Sequence, residues 1–433
     1  MIRKTRTLGV IATLGAGALV LSGCATNDGG GAAESKVLNY ESYWTEGEPT
    51  AEILKEAAAD FEESTGVTVN IQWKGRDLPA TLAPLLSSSN PDVDIVDMAC
   101  PSVQANLDAT GNAADLSSVL EATIPGEEMT VGESMSEAVV ATGQEDGRTF
   151  CLPYEVLSDS DFWFNAARFP DLVESPPTTW DEFDAILAEQ GKGALALDGT
   201  IGGYAAYYFI NFAVSAGGKG AYLEAAGDET GQSFIDDPVY LEAAKKVQEL
   251  VDSGAFADGY TESKFPAIQQ KWANDESDFL LVGSWIPSEV APYAAEGFEY
   301  SSFPFPALAE GDARAMTLDS IGFGVLEKAP NVENAKKFIE FFAQKKYQDE
   351  IGQIAVPVRS DASVADNLAS VQKALNDSDV VKIAYEDGAA AAYPTWAQDV
   401  GDPFTQKLVL GELSAEEFIT QIAEASKNFW ANQ

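Results

Sequence analysis

Histidine is absent from this 433-residue sequence, and basic residues are scarce, with 26 lysines and arginines against 69 aspartates and glutamates. Without histidine, the chain has no Ser-His-Asp or Cys-His catalytic arrangement and no histidine-ligated zinc or haem. The formal charge of −43 argues against nucleic-acid binding, because contact with phosphates requires a basic surface. The sequence also lacks a GxxxxGK(S/T) loop for nucleotide phosphates, so no cofactor is expected.

The one long apolar run lies at the N-terminus, in residues 8–21, after three basic residues. It is too short to span a ~30 Å hydrocarbon core comfortably and has the shape of a signal peptide. The run ends in Leu-Ser-Gly-Cys24, which resembles the lipobox of bacterial lipoproteins. This resemblance implies that residues 1–23 are removed, that Cys24 carries a lipid, and that residues 24–35 form a flexible tether. The alternative is an ordinary secretory peptide with an incidental cysteine.

Only three cysteines are present. With Cys24 lipidated, Cys100 and Cys151 remain, and an even pair outside the cell is typical of a disulfide. Two buried free thiols are the alternative.

Hydrophobic spacing predicts an α/β architecture near the start of the mature chain. Strands and helices alternate there, which favours a lobe with mainly parallel strands. Capping-box spacing predicts helices that begin after Thr179 and Ser414, and another helix is expected after Asn331. The predicted elements of the first lobe are a strand at 37–40, a helix from Pro49 to Gly66, a strand at 67–73, a helix at 78–87 and a strand at 93–98.

Several segments resemble one family in the same order along the chain. They are residues 61–69 (FEESTGVTV), 90–95 (NPDVDI), 146–154 (DGRTFCLPY), 176–183 (PPTTWDEF), 279–285 (FLLVGSW) and 355–359 (AVPVR). On these segments the chain is identified as a member of the extracellular solute-binding proteins of bacterial ABC importers. The resemblance is to the sugar-binding branch that includes maltose-binding protein. The chain departs from that pattern at Cys151 and at Asp319-Ser320, where the family usually has glycine.

The resemblance implies a two-lobed α/β fold of the type II periplasmic-binding-protein kind, with a ligand cleft between the lobes. Lobe 1 is expected to comprise residues 36–156 with 316–358, and lobe 2 residues 157–315 with 359–433. The implied function is non-enzymatic: a monomer captures a carbohydrate by lobe closure and delivers it to the permease. The protein would be held at the outer face of the cell membrane only by the lipid on Cys24, with no metal or cofactor.

Sugar recognition requires aromatic planes for C–H faces and directed polar groups for hydroxyls. The ends of strands facing a crevice are the usual place for such groups in open α/β sheets. The resemblance makes candidates of Trp285, of the aromatic segment at 393–396 and of Asp319, which lies at an expected crossing between the lobes. The others are candidates through their position after strands or in an aromatic cluster. The predicted ligand contacts are Tyr43, Trp44, Glu46, Asp97, Tyr207, Tyr208, Asn211, Trp285, Asp319, Tyr393 and Trp396.

Two other functions stay open at this point. A binding protein for a polyol, glycerol phosphate or polyamine would use the same fold, and cations also bind in acidic aromatic pockets. A secreted glycoside hydrolase would need two carboxylates about 5 to 10 Å apart across the sugar, for which Glu155 and Asp319 are examples.

Overall fold

The computed structural model of the chain describes residues 36–88 and 91–433. The predicted signal peptide, Cys24 and the tether lie outside the described residues. Within the described part of the chain, no helix is both long enough and apolar enough to cross a bilayer.

Strands occur along the whole described chain. They are β1 (Val37–Ser42), β2 (Thr68–Trp73), β3 (Ile95–Ala99), β4 (Gln144–Glu145), β5 (Arg148–Thr149), β6 (Leu152–Ser158), β7 (Asp161–Asn165), β8 (Leu195–Ala196), β9 (Phe279–Val282), β10 (Tyr300–Pro304), β11 (Arg314–Val325), β12 (Val356–Pro357) and β13 (Val380–Ile383).

Helices fill the connections. They are α1 (Pro49–Thr65), α2 (Leu78–Leu86), α3 (Cys100–Val103), α4 (Ser117–Glu121), α5 (Glu137–Ala141), α6 (Pro170–Glu174), α7 (Trp180–Gln190), α8 (Gly202–Gly217), α9 (Ala221–Gly227), α10 (Ser233–Asp236), α11 (Pro238–Ser253), α12 (Ala267–Ala273), α13 (Ile286–Val290), α14 (Val332–Phe342), α15 (Lys345–Ile351), α16 (Ala369–Leu375), α17 (Ala389–Ala392), α18 (Pro394–Trp396), α19 (Asp402–Val409) and α20 (Ala415–Trp430).

The first sheet has the order β12-β6-β11-β3-β1-β2, with β13 beside β11. The predicted alternation of elements over residues 37–99 is confirmed, and Gly66 ends α1 in the left-handed conformation, with φ 74°. The prediction of mainly parallel strands is only partly right. β1, β2 and β3 run parallel, and so do β11 and β13, whereas the pairs β3–β11, β11–β6 and β6–β12 are antiparallel. Of these strands, β11 enters the first sheet directly after β10 of the second sheet, without a crossover helix of lobe 1 before it.

The second sheet has the order β10-β7-β9-β8 and packs against α7 and α8. Its core is rich in aromatic rings, and the centroid of Phe162 lies 4.5 Å from that of Phe183 and 5.4 Å from that of Phe305. Both capping boxes predicted from the sequence are present, at the starts of α7 and α20. We call the first sheet with its helices lobe 1 and the second sheet with its helices lobe 2.

The chain passes between the lobes at places that lie side by side. β6 belongs to the first sheet and β7 to the second, with only Asp159 and Ser160 between them. The Ser160 hydroxyl lies 2.7 Å from the hydroxyl of Thr317 in β11, and the backbone N–H of Asp159 donates to the Thr317 carbonyl at 3.3 Å. Later, α16 packs beside β10, where Ser302 N–H donates to the Ser370 hydroxyl at 3.1 Å. The first two crossings are therefore bonded to each other, and the later segment is bonded to the edge of the second sheet.

Cys100 and Cys151 form a disulfide, which confirms that prediction. Cys100 begins α3 directly after β3, and Cys151 directly precedes β6. Because β11 runs between β3 and β6, the disulfide passes over this central strand. It does so at Gly322, where a Cβ atom would lie 2.6 Å from Cys151 Sγ and 2.9 Å from Cys100 Sγ. The close approach of the sulfurs therefore requires glycine at this position.

Candidate functional site

Two aromatic side chains follow β1 in lobe 1. Tyr43 and Trp44 are half-buried, and their ring centroids lie 6.1 Å apart. The guanidinium carbon of Arg76 lies 4.5 Å from the Tyr43 centroid and 4.7 Å from the Trp44 centroid. Arg76 also donates to the backbone oxygen of Tyr43 and to the carboxylate of Glu48. These contacts hold both rings in place through cation–π attraction and hydrogen bonds. Sequence reasoning missed Arg76, because its neighbours lie far away in the chain.

Asp97 supports this aromatic pair from inside lobe 1. Its carboxylate accepts a hydrogen bond from the Tyr43 N–H at 2.9 Å and another from the Tyr154 hydroxyl, which in turn accepts from Trp44 Nε1 at 2.7 Å. Asp97 is fully buried, and this burial raises its pKa. Its placement therefore indicates a structural role, and its predicted ligand contact is not supported. Glu46 lies exposed two residues beyond Trp44.

Aromatic side chains also gather in lobe 2. Tyr204 and Tyr207 project from the first turns of α8, with centroids 6.0 Å apart, and the ring of Tyr385 lies 6.2 Å from that of Tyr207 at 90°. We call Tyr204, Tyr207 and Tyr385 the tyrosine group. Burial raises the pKa of Tyr204, and the neighbouring polar groups of Gln269 and Trp285 partly offset that rise. Trp285 therefore adjoins the tyrosine group.

The indole of Trp285 is positioned by the glycine before it. A Cβ atom at Gly283 would lie 2.1 Å from Cζ3 of Trp285, so the ring packs directly on the backbone there. Trp285 is half-buried. One face of the indole thus packs against lobe 2, while part of the side chain remains open to solvent.

Four other residues that were predicted to contact the ligand do not lie in the tyrosine group or beside Trp285. Tyr208 and Asn211 are buried in the core of lobe 2, where Tyr208 packs on Phe256. Trp396 is fully buried and donates its indole N–H to the Ser426 hydroxyl at 3.1 Å. The ring of Tyr393 packs on the last turn of α20, 5.2 Å from the Trp430 centroid. Tyr208, Asn211 and Trp396 thus lie in the core of lobe 2, and Tyr393 is half-buried against it. Their ligand contacts remain predictions without structural support.

Three carboxyl groups meet where the chain crosses between the lobes. Burial raises the pKa of Asp159, and the charges of Asp319 and Asp161 raise it further. Asp161 is fully buried, which raises its pKa to about 7, although the Ser158 hydroxyl donates to one of its oxygens. Asp319 is half-buried, accepts from the N–H of Ser320 at 2.6 Å, and has a pKa raised by burial. The predicted contact Asp319 thus lies beside Asp159, which sequence reasoning did not select.

Glu155 is a fourth buried carboxyl, in β6. Burial raises its pKa from 4.5 to about 8, the charge of Asp97 adds to the rise, and Arg76 opposes it. Glu155 therefore carries a proton at neutral pH in the folded protein.

Replacing Glu155 with glutamine should stabilise the protein at alkaline pH. Below the carboxyl's unfolded pKa, near 4.5, both states hold the proton. As the pH rises to about 8, the folded protein keeps a proton that the unfolded chain releases, so the free energy of unfolding falls. We expect Glu155→Gln to raise that free energy by about 1 kcal/mol or more at pH 8.5 and to change it little at pH 4.5. Urea unfolding at both pH values measures the difference.

Glu63→Gln is the matched control, because Glu63 is exposed on α1. This control removes a carboxyl from the surface, and its effect on the free energy of unfolding should not depend on pH in the same way. An equal effect of Glu155→Gln at both pH values would contradict the assignment of a buried, protonated carboxyl.

A further carboxyl pair lies next to the tyrosine group. Burial raises the pKa of Glu386, and the neighbouring carboxylate of Asp402 raises it further. Glu386 and Asp387 both adopt left-handed backbone conformations, with φ 50° and 54°. Non-glycine residues in this region are strained, and such strain is concentrated at functional sites. Sequence reasoning missed Tyr385 and Glu386, although the acidic turn before Gly388 is a usable signal for an unusual backbone.

In the described part of the chain, neither a metal centre nor the cavity beside β10 coincides with these groups. Among residues 36–88 and 91–433, no cluster of three or more cysteine, aspartate or glutamate side chains has the geometry to hold a metal ion. A cavity of about 860 Å³ lies instead along the free edge of β10, beside α16. The chemistry available to a ligand near the crossings is therefore stacking on aromatic rings and hydrogen bonding to carboxyls.

Comparison with known sequences identifies relatives of the same kind. Residues 56–374 match the family described as bacterial extracellular solute-binding protein. The multiple sugar-binding protein of Streptococcus mutans is 25% identical over 215 residues, 47% of this chain and 50% of that protein. The diacetylchitobiose binding protein NgcE of Streptomyces coelicolor is 26% identical over 40% of this chain and 39% of its own length. The chain thus spans about half or less of the length of these two curated relatives.

Solved structures share the fold at low sequence identity. A chitin oligosaccharide binding protein superposes with a TM-score of 0.68 at 20% identity, covering 91% of this chain and 99% of that one. The apo form of RafE from Streptococcus pneumoniae gives 0.72 at 13% identity, covering 92% and 99%. The two-lobed α/β fold is therefore that of solute-binding proteins. With the match over residues 56–374, the chain belongs to the family of bacterial extracellular solute-binding proteins.

Proposed function

We propose that this protein captures a carbohydrate between its two lobes and delivers it to the permease of an ABC importer. The observation that carries the proposal is that aromatic side chains of both lobes border β6. Trp44 contacts Tyr154 near the start of this strand, and Tyr207 lies within electrostatic reach of Asp159 just after its end. At about 3.3 Å per residue, these two points are roughly 16 Å apart. In the proposed crevice, these rings would stack on the sugar and the carboxyls would bind its hydroxyls.

Capture by closure requires that the ligand binds the closed form more tightly than the open form. A ligand that touches Trp44 of lobe 1 and Trp285 of lobe 2 gains both contacts only when the lobes approach, so it favours the closed form. In this proposal the lobes move about the paired crossings at Asp159 and Thr317. The proposed boundaries are residues 36–156 with 316–358 for lobe 1, and 157–315 with 359–433 for lobe 2.

The protein acts as a monomeric binding component and not as an enzyme. Its relatives are solute-binding proteins, which in general do no chemistry on their ligand. Glu155 is buried beside Asp97, and the Arg76 charge acts on it, which suits a structural carboxyl better than a catalytic acid. In this proposal a lipid on Cys24 holds the protein at the outer face of the cell membrane, near the permease.

A thermal-shift screen of the purified protein tests the proposal. The panel contains mono-, di- and trisaccharides, polyols, glycerol phosphates, polyamines and amino acids. A ligand at about 100 times its dissociation constant should add about 2.7 kcal/mol to the free energy of unfolding. A selective shift with one class of carbohydrate is the expected result. A shift with non-sugars alone would contradict carbohydrate capture, and hydrolysis of a bound oligosaccharide would contradict a purely binding role.

A further inference from the structure

The tyrosine group has the form of a partial aromatic cage. The rings of Tyr204 and Tyr385 both lie about 6 Å from the ring of Tyr207, and the Tyr385 ring stands perpendicular to it. Tyr204 and Tyr385 remain partly open to solvent. Aromatic faces arranged in this way attract cations, and cages of this kind recognise amines.

Carboxyl groups surround the tyrosine group from more than one element. Glu386, in the turn before α17, directly follows Tyr385 in the chain. The N–H of Asp159, at the first crossing, donates to the carbonyl of Thr317 in β11, beside β13, the strand that leads to Tyr385. Both carboxyls also raise the pKa of Tyr385. Asp319, in β11, lies close enough to Asp159 to raise its pKa in turn. The aromatic rings and the carboxyls therefore occupy one place, at the junction of the two lobes.

Two of the buried carboxylate oxygens have no hydrogen-bond partner. These are Oε2 of Glu386 and Oδ1 of Asp161, on side chains that are 4% and 0% exposed. Burial without an opposite charge raises the pKa of both carboxyls, and a cation bound beside them would stabilise their ionised forms. In the described part of the chain, no lysine or arginine contributes to the pKa shifts of Asp159, Asp161, Asp319 or Glu386. The positive charge that would pair with these carboxyls therefore has to come from a bound ligand.

The backbone fixes these groups in place. Glu386 is held in the left-handed conformation, and the carboxylate of the adjacent Asp387 accepts from the N–H groups of Gly220 and Tyr222 at 2.9 and 3.0 Å. A Cβ atom at Gly203 would lie 2.5 Å from the Tyr385 hydroxyl oxygen, so glycine lets this ring approach α8. A strained, tightly fixed turn beside unpartnered carboxylates is the arrangement expected of a binding site.

We propose that the tyrosine group, with Asp159, Asp319 and Glu386, binds a positively charged amine of the captured solute. This inference rests on the proposed carbohydrate capture, and together they make the ligand an amino sugar whose amine is free and not acetylated. The ammonium would face the tyrosine rings and pair with the carboxylates, while the sugar rings stack on Trp285. Neutral sugars would gain the stacking without the ion pairs.

Isothermal titration calorimetry of the full-length protein tests this proposal with three probes. They are the glucosamine trimer with free amines, the fully N-acetylated trimer, and spermidine. Because ion pairing and cation–π attraction are added to the same stacking contacts, we expect the free-amine trimer to bind at least about tenfold more tightly than the acetylated one.

Two variants assign the preference to these carboxyls. Asp159→Asn and Asp319→Asn should each bring the two trimers toward equal affinity, since the amide keeps the shape and removes the charge. Asp184→Asn is the matched control, because Asp184 is an exposed acid on α7, and it should leave the preference intact. Asp319 is only half-buried, so its variant keeps the test valid even if Asp159→Asn misfolds.

The outcomes separate the two proposals. If the acetylated trimer binds as tightly as the free-amine trimer, the amine site is wrong and carbohydrate capture stands. If spermidine alone binds, and Asp159→Asn abolishes that binding, the amine site stands and carbohydrate capture is contradicted. If none of the three probes binds, the amine site is overturned.

Discussion

Replacing Cys100 and Cys151 together with alanine is expected to lower the free energy of unfolding by about 4 kcal/mol. The disulfide joins residues 51 apart in the sequence, and closing a loop of this length removes that much conformational entropy from the unfolded chain. The structure also explains the position of this disulfide. The bond spans the strand between β3 and β6 and packs on Gly322, so it ties together the two neighbours of the central strand β11.

Urea unfolding of the double variant and of each single variant measures this effect. Either single replacement breaks the cross-link, so each should cost nearly as much as the double replacement. Losses that add up across the two sites would instead indicate two independent packing defects. A double variant within about 1 kcal/mol of the native protein would contradict a cross-link that constrains the unfolded chain.

Replacing Trp285 with alanine is expected to weaken binding of the captured solute by about 2 kcal/mol or more, roughly a thirtyfold loss of affinity. The indole packs on the backbone of Gly283 and adjoins Tyr204, so it is held rigidly before a ligand arrives. A fixed ring loses little entropy when a sugar stacks on it, and its removal takes away the indole that lobe 2 contributes to the proposed cleft. Titration calorimetry with the sugar found in the thermal-shift screen measures the loss.

Trp430→Ala is the matched control for this experiment. Trp430 is also a half-buried indole of lobe 2, but it lies on α20, where its N–H donates to the carbonyl of Ala226 at 3.1 Å. Its removal should lower stability and leave affinity unchanged. Native affinity in the Trp285 variant would remove Trp285 from the binding site, and an equal loss in both variants would indicate a general defect of lobe 2.

Local sequence signals predicted the individual elements well. The capping boxes at Thr179 and Ser414 and the glycine stop at Gly66 act within one turn of chain, so neighbouring residues suffice to define them. The strand direction in the first sheet was less predictable. β6 and β11 pair with strands that are distant in sequence, and nothing local indicates whether such a pairing is parallel or antiparallel.

The candidate site residues show the same contrast between local sequence signals and distant contacts. In α8 nearly every position from Ala205 to Ser215 is buried, so hydrophobic spacing marks no single outward face. The packing of α8 against α11 and α19 decides which tyrosines join Tyr385 in the tyrosine group. Tyr204 and Tyr207 do so, whereas Tyr208 faces the core of lobe 2. Trp396 was attractive from its resemblance to an aromatic segment, yet in this chain the ring fills the interior of lobe 2.

The sequence by itself determined the acidic charge, the absence of histidine chemistry, the alternation of strands and helices, the pair of cysteines and the family resemblance. All of these follow from composition or from residues close together in the chain. The tertiary structure alone decided that Asp159 meets Asp319, that Tyr385 meets Tyr207, and that the disulfide crosses over Gly322. These contacts join segments that only the crossings between the lobes bring together, and the pKa of a carboxyl depends on exactly such distant neighbours and on burial.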